Sequence, residues 1–383
     1  MSEHPIHDFD RLIRRQRLLL KLIGLDSYDP TFRPRITIMV VCLSLIFVAI
    51  SMYDLYIFRN DLFNFVYVLI TIFFASIGIG HICVFVCYRD VLPMMLEQSY
   101  DTYRLVGKDE RELHILQWYT KLFKRGANVY SLMFIGTSIL TGLLPIAIYQ
   151  LTGERVLPYG VVLPFVDPDS QVGYELNYMY QVSCIIWTPP GLVGAQCMMF
   201  GVVLNICVQY DILGVKLHDL DKLIRSGEES AQREELIGKK LRVILRDQQR
   251  LISFISHVEE ANTVMAGVEI LSFGLQIVIT LYVLQLAFWF PGYVIIVLAT
   301  MQLFILCLLG TIIEYKGEKF SEAVYQLTWN ELSRGHKKIF RLLLLSSQQP
   351  YILTWSGMTN INMNLFVGMS QKFYSIFMML RNM

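Results

Sequence analysis

Residues able to do chemistry are few in this sequence, and they do not cluster. The seven histidines are scattered, mostly in polar stretches, and none belongs to an HExxH pair that would hold zinc. The cysteines, Cys42, Cys83, Cys87, Cys184, Cys197, Cys207 and Cys307, all fall inside apolar stretches and make no CxxC pair. Thiols in that setting read as small packing residues rather than metal ligands or redox centres. No phosphate-binding GxxxxGK[ST] loop, GxSxG elbow or GxGxxG turn occurs, and Gly78-x-Gly80 is a fragment that chance supplies. Three carboxylates, Asp54, Glu269 and Glu314, sit near the ends of apolar runs, where they read as solvated or interfacial groups. His81, inside such a run, reads as a packed or water-facing side chain. The expectation is a protein that is not an enzyme and that carries no metal and no cofactor.

What the sequence does offer is apolar length. Of 383 residues, 54% are hydrophobic and 17% charged, against about 25% charged in soluble domains. The net charge of +1 gives nucleic acid no global attraction. Charge-poor stretches of about 20 residues, the length a helix needs to cross a bilayer, recur along the chain. Span 1 is expected over Ile36–Tyr56, span 2 over Leu62–Tyr88, span 3 over Asn128–Gln150, and span 4 over Tyr178–Val208 with a kink at Pro189-Pro190-Gly191. The stretch Val264–Ile313 is too long for one crossing. A turn at Pro291-Gly292 divides it into span 5, Val264–Phe290, and span 6, Tyr293–Ile313. Span 7 is expected over Ile352–Leu380.

The connecting pieces fix a direction. Lys and Arg number seven in 1–35, seven in 89–127, nine in 209–263 and six in 314–351, against one each in the 1–2 and 3–4 connections and none between spans 5 and 6. Positive charge marks the cytoplasmic face, so the N-terminus is expected inside and the C-terminus outside, the reverse of G-protein-coupled receptors. The fold class is thus an all-α membrane protein of seven transmembrane helices. The chain divides into a cytoplasmic N-terminal leader (1–35), helices 1–6 (36–313) with cytoplasmic extensions in 209–263, a cytoplasmic anchor segment (314–351), and helix 7 (352–383). In 209–263, Leu213, Leu217, Leu220 and Ile224 recur at helical spacing, as do Leu241, Ile244, Leu245, Leu251, Ile252, Ile255 and Val258, with a break at Ser226-Gly227-Glu228. Lys337–Ser346 has the pattern of a further amphipathic helix, whose apolar face needs a partner. The acidic, proline-bearing 3–4 connection, with Glu154, Asp167, Asp169 and Glu175, reads as a folded lid.

The C-terminal third carries a specific constellation. Glu314 follows span 6, Ala323 and Tyr325 precede Trp329, and a basic stretch leads into an apolar helix. Then come Ser347-x-x-Pro350, Leu353-Thr354, and Tyr374-Ser375 close to the end. In order and spacing this resembles the insect odorant receptor family, strongly over 314–383 and more weakly in 209–263. There Asp247-Gln248 stands where the family usually has His-His or His-Gln. Phe373-Tyr374-Ser375, with no Gln-Phe after it, differs from the Thr-Tyr ending of the related gustatory receptors. The compact 4–5 connection resembles that of a ligand-tuned subunit rather than the longer shared co-receptor.

The resemblance implies an odorant-gated, nonselective cation channel, a heterotetramer with the co-receptor, in the plasma membrane of a sensory dendrite. The subunit anchor is expected to involve Trp329, Phe340, Leu343 and Leu344, and the pore to be lined by helix 7. Phe377 and Leu380 are its gate candidates, and Asn360 and Asn364, read as i and i+4 of one helix, would wet the inner pore. Lys372 is expected to point away from the axis. A small volatile ligand, aromatic or oxygenated, is expected in the outer half of the bundle. Direction of travel selects Tyr67, Ile70 and Phe74 on span 2, Ser138, Thr141 and Pro145 on span 3, Tyr180, Cys184 and Trp187 on span 4, and Tyr293 and Val297 on span 6. Two other readings stay open. One is a gustatory-like channel working without the co-receptor. The other is a solute transporter, opposed by the lack of an internal repeat and of buried charge.

Overall fold

The computed structural model describes every residue except 1–4, 29–33, 106–108, 154, 227–229, 287–288, 349–350, 356, 358 and 382–383. Among the described residues the chain is nearly all helix: α1 (Pro5–Leu22), α2 (Pro34–Ile57), α3 (Leu62–Cys87), α4 (Val91–Leu105), α5 (Glu110–Thr152), α6 (Gln171–Arg225), α7 (Ala231–Leu286), α8 (Phe290–Tyr325), α9 (Arg334–Ser347) and α10 (Met363–Arg381). A hairpin of two short strands, β1 (Thr354–Trp355) and β2 (Thr359–Asn360), precedes α10, with Thr354 opposite Asn360 and Trp355 opposite Thr359. Among the described residues six helices, α2, α3, α5, α6, α7 and α8, are long and apolar enough to cross a membrane. The 19 residues of α10 rise about 28 Å, close to a bilayer core.

Local chemistry sets the ends. Asp61, Asp109 and Ser170 accept backbone N–H bonds from Asn64, Arg111 and Gly173, capping α3, α5 and α6. Gly153, at φ 76°, closes α5 in the left-handed conformation that a side chain would oppose. The central helix is α6: 83% of its apolar window is buried, against 11% for α2 and for α5. Small residues on α6 admit close neighbours. A Cβ at Gly194 would stand 3.0 Å from Leu20 of α1, and one at Gly201 would stand 2.9 Å from Phe123 of α5.

Several expectations change. The 1–35 leader is not a simple tail, because α1 buries Phe9, Leu12, Ile13, Gln16 and Leu20 at helical spacing and packs along α6. Helix α4 lies in the 2–3 connection, burying Leu92, Met95, Leu96 and Tyr103. Helix α6 runs through Pro189 and Pro190. Pro291 and Gly292 open α8 rather than form the turn, which suits a residue whose missing N–H is spare in a first helical turn. The largest correction concerns span 7. The described residues of 352–362 are not helical. The chain turns at Gly357, at φ 68°, and Asn362 Oδ1 accepts from Leu365 N to start α10 only at Met363. A Cβ at Gly310 would collide with the Ile361 carbonyl, and one at Gly267 with the Trp355 ring, so two glycines seat the hairpin on α8 and α7.

At the end carrying α4 and α9, helices α5 and α6 are cross-linked by polar pairs. Arg111 donates to Asp219 at 2.6 Å and to Asp109 at 2.7 Å, and these bonds hold both carboxyls below their usual range. Lys316 of α8 reaches Asp211 at 2.6 Å, and Tyr119 donates to the same carboxylate at 2.8 Å.

Candidate functional site

The opposite end of the bundle is closed by the segment 155–170, a lid whose backbone is held by buried side chains. Asp54 of α2 accepts from Val162 N at 2.8 Å, Asn177 of α6 accepts from Leu163 N at 2.7 Å, and Gln181 of α6 accepts from Tyr159 N at 2.7 Å. Gln181 also donates to the Val161 carbonyl at 2.5 Å. All three side chains are buried, and Val161 between them is fully buried. Four amide and carbonyl groups that an irregular segment would leave unpaired are thus matched.

Beneath the lid stand aromatic rings. The Tyr67 hydroxyl donates to the Pro158 carbonyl at 2.6 Å, and its ring meets Trp289 edge to face at 5.1 Å. Gly160 passes so close to Tyr67 that a Cβ would stand 2.8 Å from the ring. Phe74 stacks with Phe134 at 6.5 Å, and Phe134 with Tyr130 at 4.8 Å. Val66, Ile70, Val283 and Trp289 form a small cluster separate from the main core. Thr280 is fully buried, yet its hydroxyl has no hydrogen-bond partner among the described residues. It lies across Gly292 from Trp289.

The structure brings some of the expected ligand residues together and separates others. Tyr67, Ile70 and Phe74 share one face of α3 under the lid. Ser138, which bonds back to the Phe134 carbonyl at 2.7 Å, and Thr141 are half-buried on α5, and Pro145 is buried. On α6 the buried stripe is Asn177, Gln181, Ile185 and Pro189. Tyr180 and Cys184 flank that stripe half-buried, while Trp187, two residues and so about 200° from Ile185, faces outward. Tyr293 and Val297 of α8 are likewise exposed, Val297 standing two residues from buried Ala299. Sequence reasoning missed Asp54, Asn177, Gln181 and Trp289. Asn177 and Gln181 do carry a signal, as two amides one helical turn apart in an apolar run.

Deeper in the bundle, His81 Nε2 of α3 lies 2.9 Å from Glu269 Oε1 of α7, and both side chains are buried. This replaces the expectation of an interfacial Glu269. Ser76 meets Ser272 at 2.7 Å on the same pair of helices, and Gln302 donates to the Tyr130 hydroxyl at 2.7 Å.

Helix α10 packs on α7 and α8. Behind it lies an apolar groove of about 320 Å³ lined by Ile277, Leu281, Leu303, Phe366, Phe373 and Phe377. Phe377 is half-buried there, and the Leu380 side chain lies outside the described residues. Asn364 and Lys372 are exposed on α10. Asn360 is on β2, so it and Asn364 are not one turn apart on a helix, which corrects that reading. In the anchor segment, Trp329 stacks on Phe340 at 6.2 Å. Phe340 and Leu343 are buried within this chain, whereas Leu344 is half-buried and lines a groove with Tyr325 and Gln348.

Comparison with known proteins places this arrangement. The family model described as 7tm Odorant receptor matches residues 94–374. Odorant receptor 10 of Aedes albopictus is 27% identical over 239 residues, 61% of this chain and 62% of that protein. Odorant receptor 30a of Drosophila melanogaster is 24% identical over 248 residues, 61% of each chain. The chain thus spans about six tenths of the length of the curated relatives it matches. The structure of the insect olfactory receptor OR5 from Machilis hrabei superposes with a TM-score of 0.81, covering 99% of both chains at 16% identity. OR5 in complex with eugenol superposes with a TM-score of 0.75 at 14% identity. Those likenesses carry the fold, seven membrane-crossing helices with α10 as the seventh. Taken with a family model that covers most of the sequence, they mean that this chain belongs to the insect odorant receptor family.

Proposed function

We propose that this chain is the ligand-tuned subunit of an odorant-gated, nonselective cation channel that assembles as a heterotetramer with a co-receptor in the plasma membrane of a sensory dendrite. Its N-terminus lies in the cytoplasm and its C-terminus outside, as the Lys and Arg distribution supports. The ligand binds under the lid, and the observation that carries this is the pinned backbone of 159–163 above Tyr67, Phe74, Phe134 and Trp289. Such walls suit a small apolar or aromatic molecule, and the unpartnered Thr280 hydroxyl suits one bearing an oxygen. Eugenol, named with OR5, is a molecule of that kind.

Helix α10 lines the pore. Val367, Ile376 and Met379 are exposed along it, apolar surface of the sort that can close a pore by excluding water. Ligand opens the pore by binding the open arrangement more tightly than the closed one. Trp329, Leu344, Leu342 and Leu345 remain at the surface near α9 and are the anchor's candidates for contact between subunits, whereas Phe340 and Leu343 serve this chain's own core.

A second reading rests on the buried His81–Glu269 pair, the kind of group a proton-coupled transporter uses. Current recordings with and without the co-receptor separate the readings. Odorant-evoked current that needs both chains supports the tuned subunit. Current from this chain alone supports a gustatory-like homomer. Substrate-dependent flux without channel current supports the transporter.

A further inference from the structure

The lid carries a residue that its own packing does not explain. Phe165 is the one described non-glycine residue with a positive φ, 65°, and its side chain is 99% exposed. That backbone conformation is unfavourable for a large side chain, and exposing the ring to water adds to the disadvantage. The tip is not loose. Val162 and Leu163 are held by Asp54 and Asn177, and Val166 N donates to the Leu163 carbonyl at 3.2 Å, so the turn aims the ring in a fixed direction.

The ring is aimed at α2. It lies 6.4 Å from the Tyr53 ring. Tyr53 is one helical turn, about 6 Å, inside the end of α2 at Ile57. Side chains on a helix lean toward its N-terminus, which sets the Tyr53 ring deeper still. Arg59, beyond that end, places its guanidinium over the Tyr56 ring at 4.8 Å, an arrangement that fits the headgroup level. Phe165 therefore hangs below the level of Arg59, beside the apolar length of the span. The neighbouring surface is bare: Met52, Tyr53, Tyr56 and Ile57 are all exposed. Helix α2 packs chiefly on α3, α3 packs on α7, and α10 packs on α7 and α8, so α3 and α7 stand between α2 and α10. The side away from α10 is the side away from any axis that α10 lines.

We propose that Phe165 is a membrane anchor of the lid, inserted at the boundary between headgroups and acyl chains of the adjoining leaflet, with Tyr53 and Tyr56 as its companions. The lipid compensates for the strained backbone by taking the ring out of water. The lid is then held by two surfaces, the buried polar side chains of the bundle and the bilayer itself. The inference does not depend on which ligand binds beneath the lid.

Two measurements on the full-length receptor in phosphatidylcholine vesicles test this. Wild-type protein is irradiated with a phospholipid carrying a diazirine near its glycerol backbone, and the labelled peptides are mapped. Phe165→Trp is compared with wild type for quenching of the added emission by lipids brominated close to the carbonyl, lipids brominated near the chain end, and aqueous iodide. Insertion predicts lipid label on the 159–170 peptide. It also predicts at least twofold stronger quenching by the shallow bromine than by the deep one, with little effect of iodide. Iodide quenching without bromine quenching, or an unlabelled lid peptide, overturns the proposal by placing the ring in water. Quenching by neither agent also overturns it and points to a neighbouring subunit as the cover.

Discussion

Asp54 sits one turn from the end of α2, and in the sequence it reads as an ordinary interfacial carboxylate. The structure buries it and gives it the Val162 amide. Removing the acceptor leaves that half-buried N–H unpaired, at a cost of about 1–3 kcal/mol. Asp54→Ala is therefore expected to loosen the lid and lower odorant sensitivity about tenfold, while Asp54→Asn, which retains an acceptor, loses less. Dose–response curves check this, and equal losses in the two variants would remove the bond to the lid from the account. Thr280 gives the opposite kind of prediction. Its hydroxyl is buried without a partner, so Thr280→Val is expected to leave thermal stability unchanged or slightly raised. It is also expected to lower potency several-fold for oxygenated odorants but not for hydrocarbons of the same shape. A uniform shift across both ligand sets would take Thr280 out of ligand contact. Neither role was legible in the sequence. Asp54 and Val162 are far apart in the chain, as are His81 and Glu269, and a single sequence carries no sign of such pairings.

At the scale of elements, charge-poor apolar length located the long spans well because bilayer thickness demands long uncharged runs. The same reasoning overlooked α1 and α4, which are rich in charge and earn their place by burying one face. It also carried span 7 backward through the hairpin, since residues 352–362 are apolar enough to pass for helix. The Gly310 contact makes that correction testable. A methyl group there meets the Ile361 carbonyl, so Gly310→Ala is expected to cost about 1–3 kcal/mol and to reduce evoked current without altering ligand preference. Normal currents and normal melting would mean the hairpin is not seated as described. On α10, Phe377 backs onto an apolar groove. Phe377→Ala is expected to raise basal current severalfold, and an unchanged closed state would remove Phe377 from the gate. The outward turn of Trp187, Tyr293 and Val297 has a simple origin. Depth along a helix can be counted from the direction of travel, but the buried phase is set by neighbours.

For the whole molecule, the distribution of Lys and Arg and the C-terminal constellation reached the same answer by separate routes. One concerns the membrane field and the other the order of residues in 314–383. The fold agrees with the count of spans, and the family membership agrees with the constellation. The lid, the aromatic set beneath it and α10 lie on one continuous bundle, so a ligand at one end can bias the packing of α10 only if it prefers one arrangement over the other. The central claim is that this chain confers odorant gating on a channel it builds with a co-receptor. The most direct test is odorant-evoked current in cells expressing this chain alone, the co-receptor alone, and both, with surface expression measured in each. The account predicts current only with both chains, reversing near zero potential and sensitive to Asp54→Ala. Odorant-evoked current of equal size and pharmacology from this chain alone, or none from the pair despite surface expression and a broad odorant panel, would contradict it.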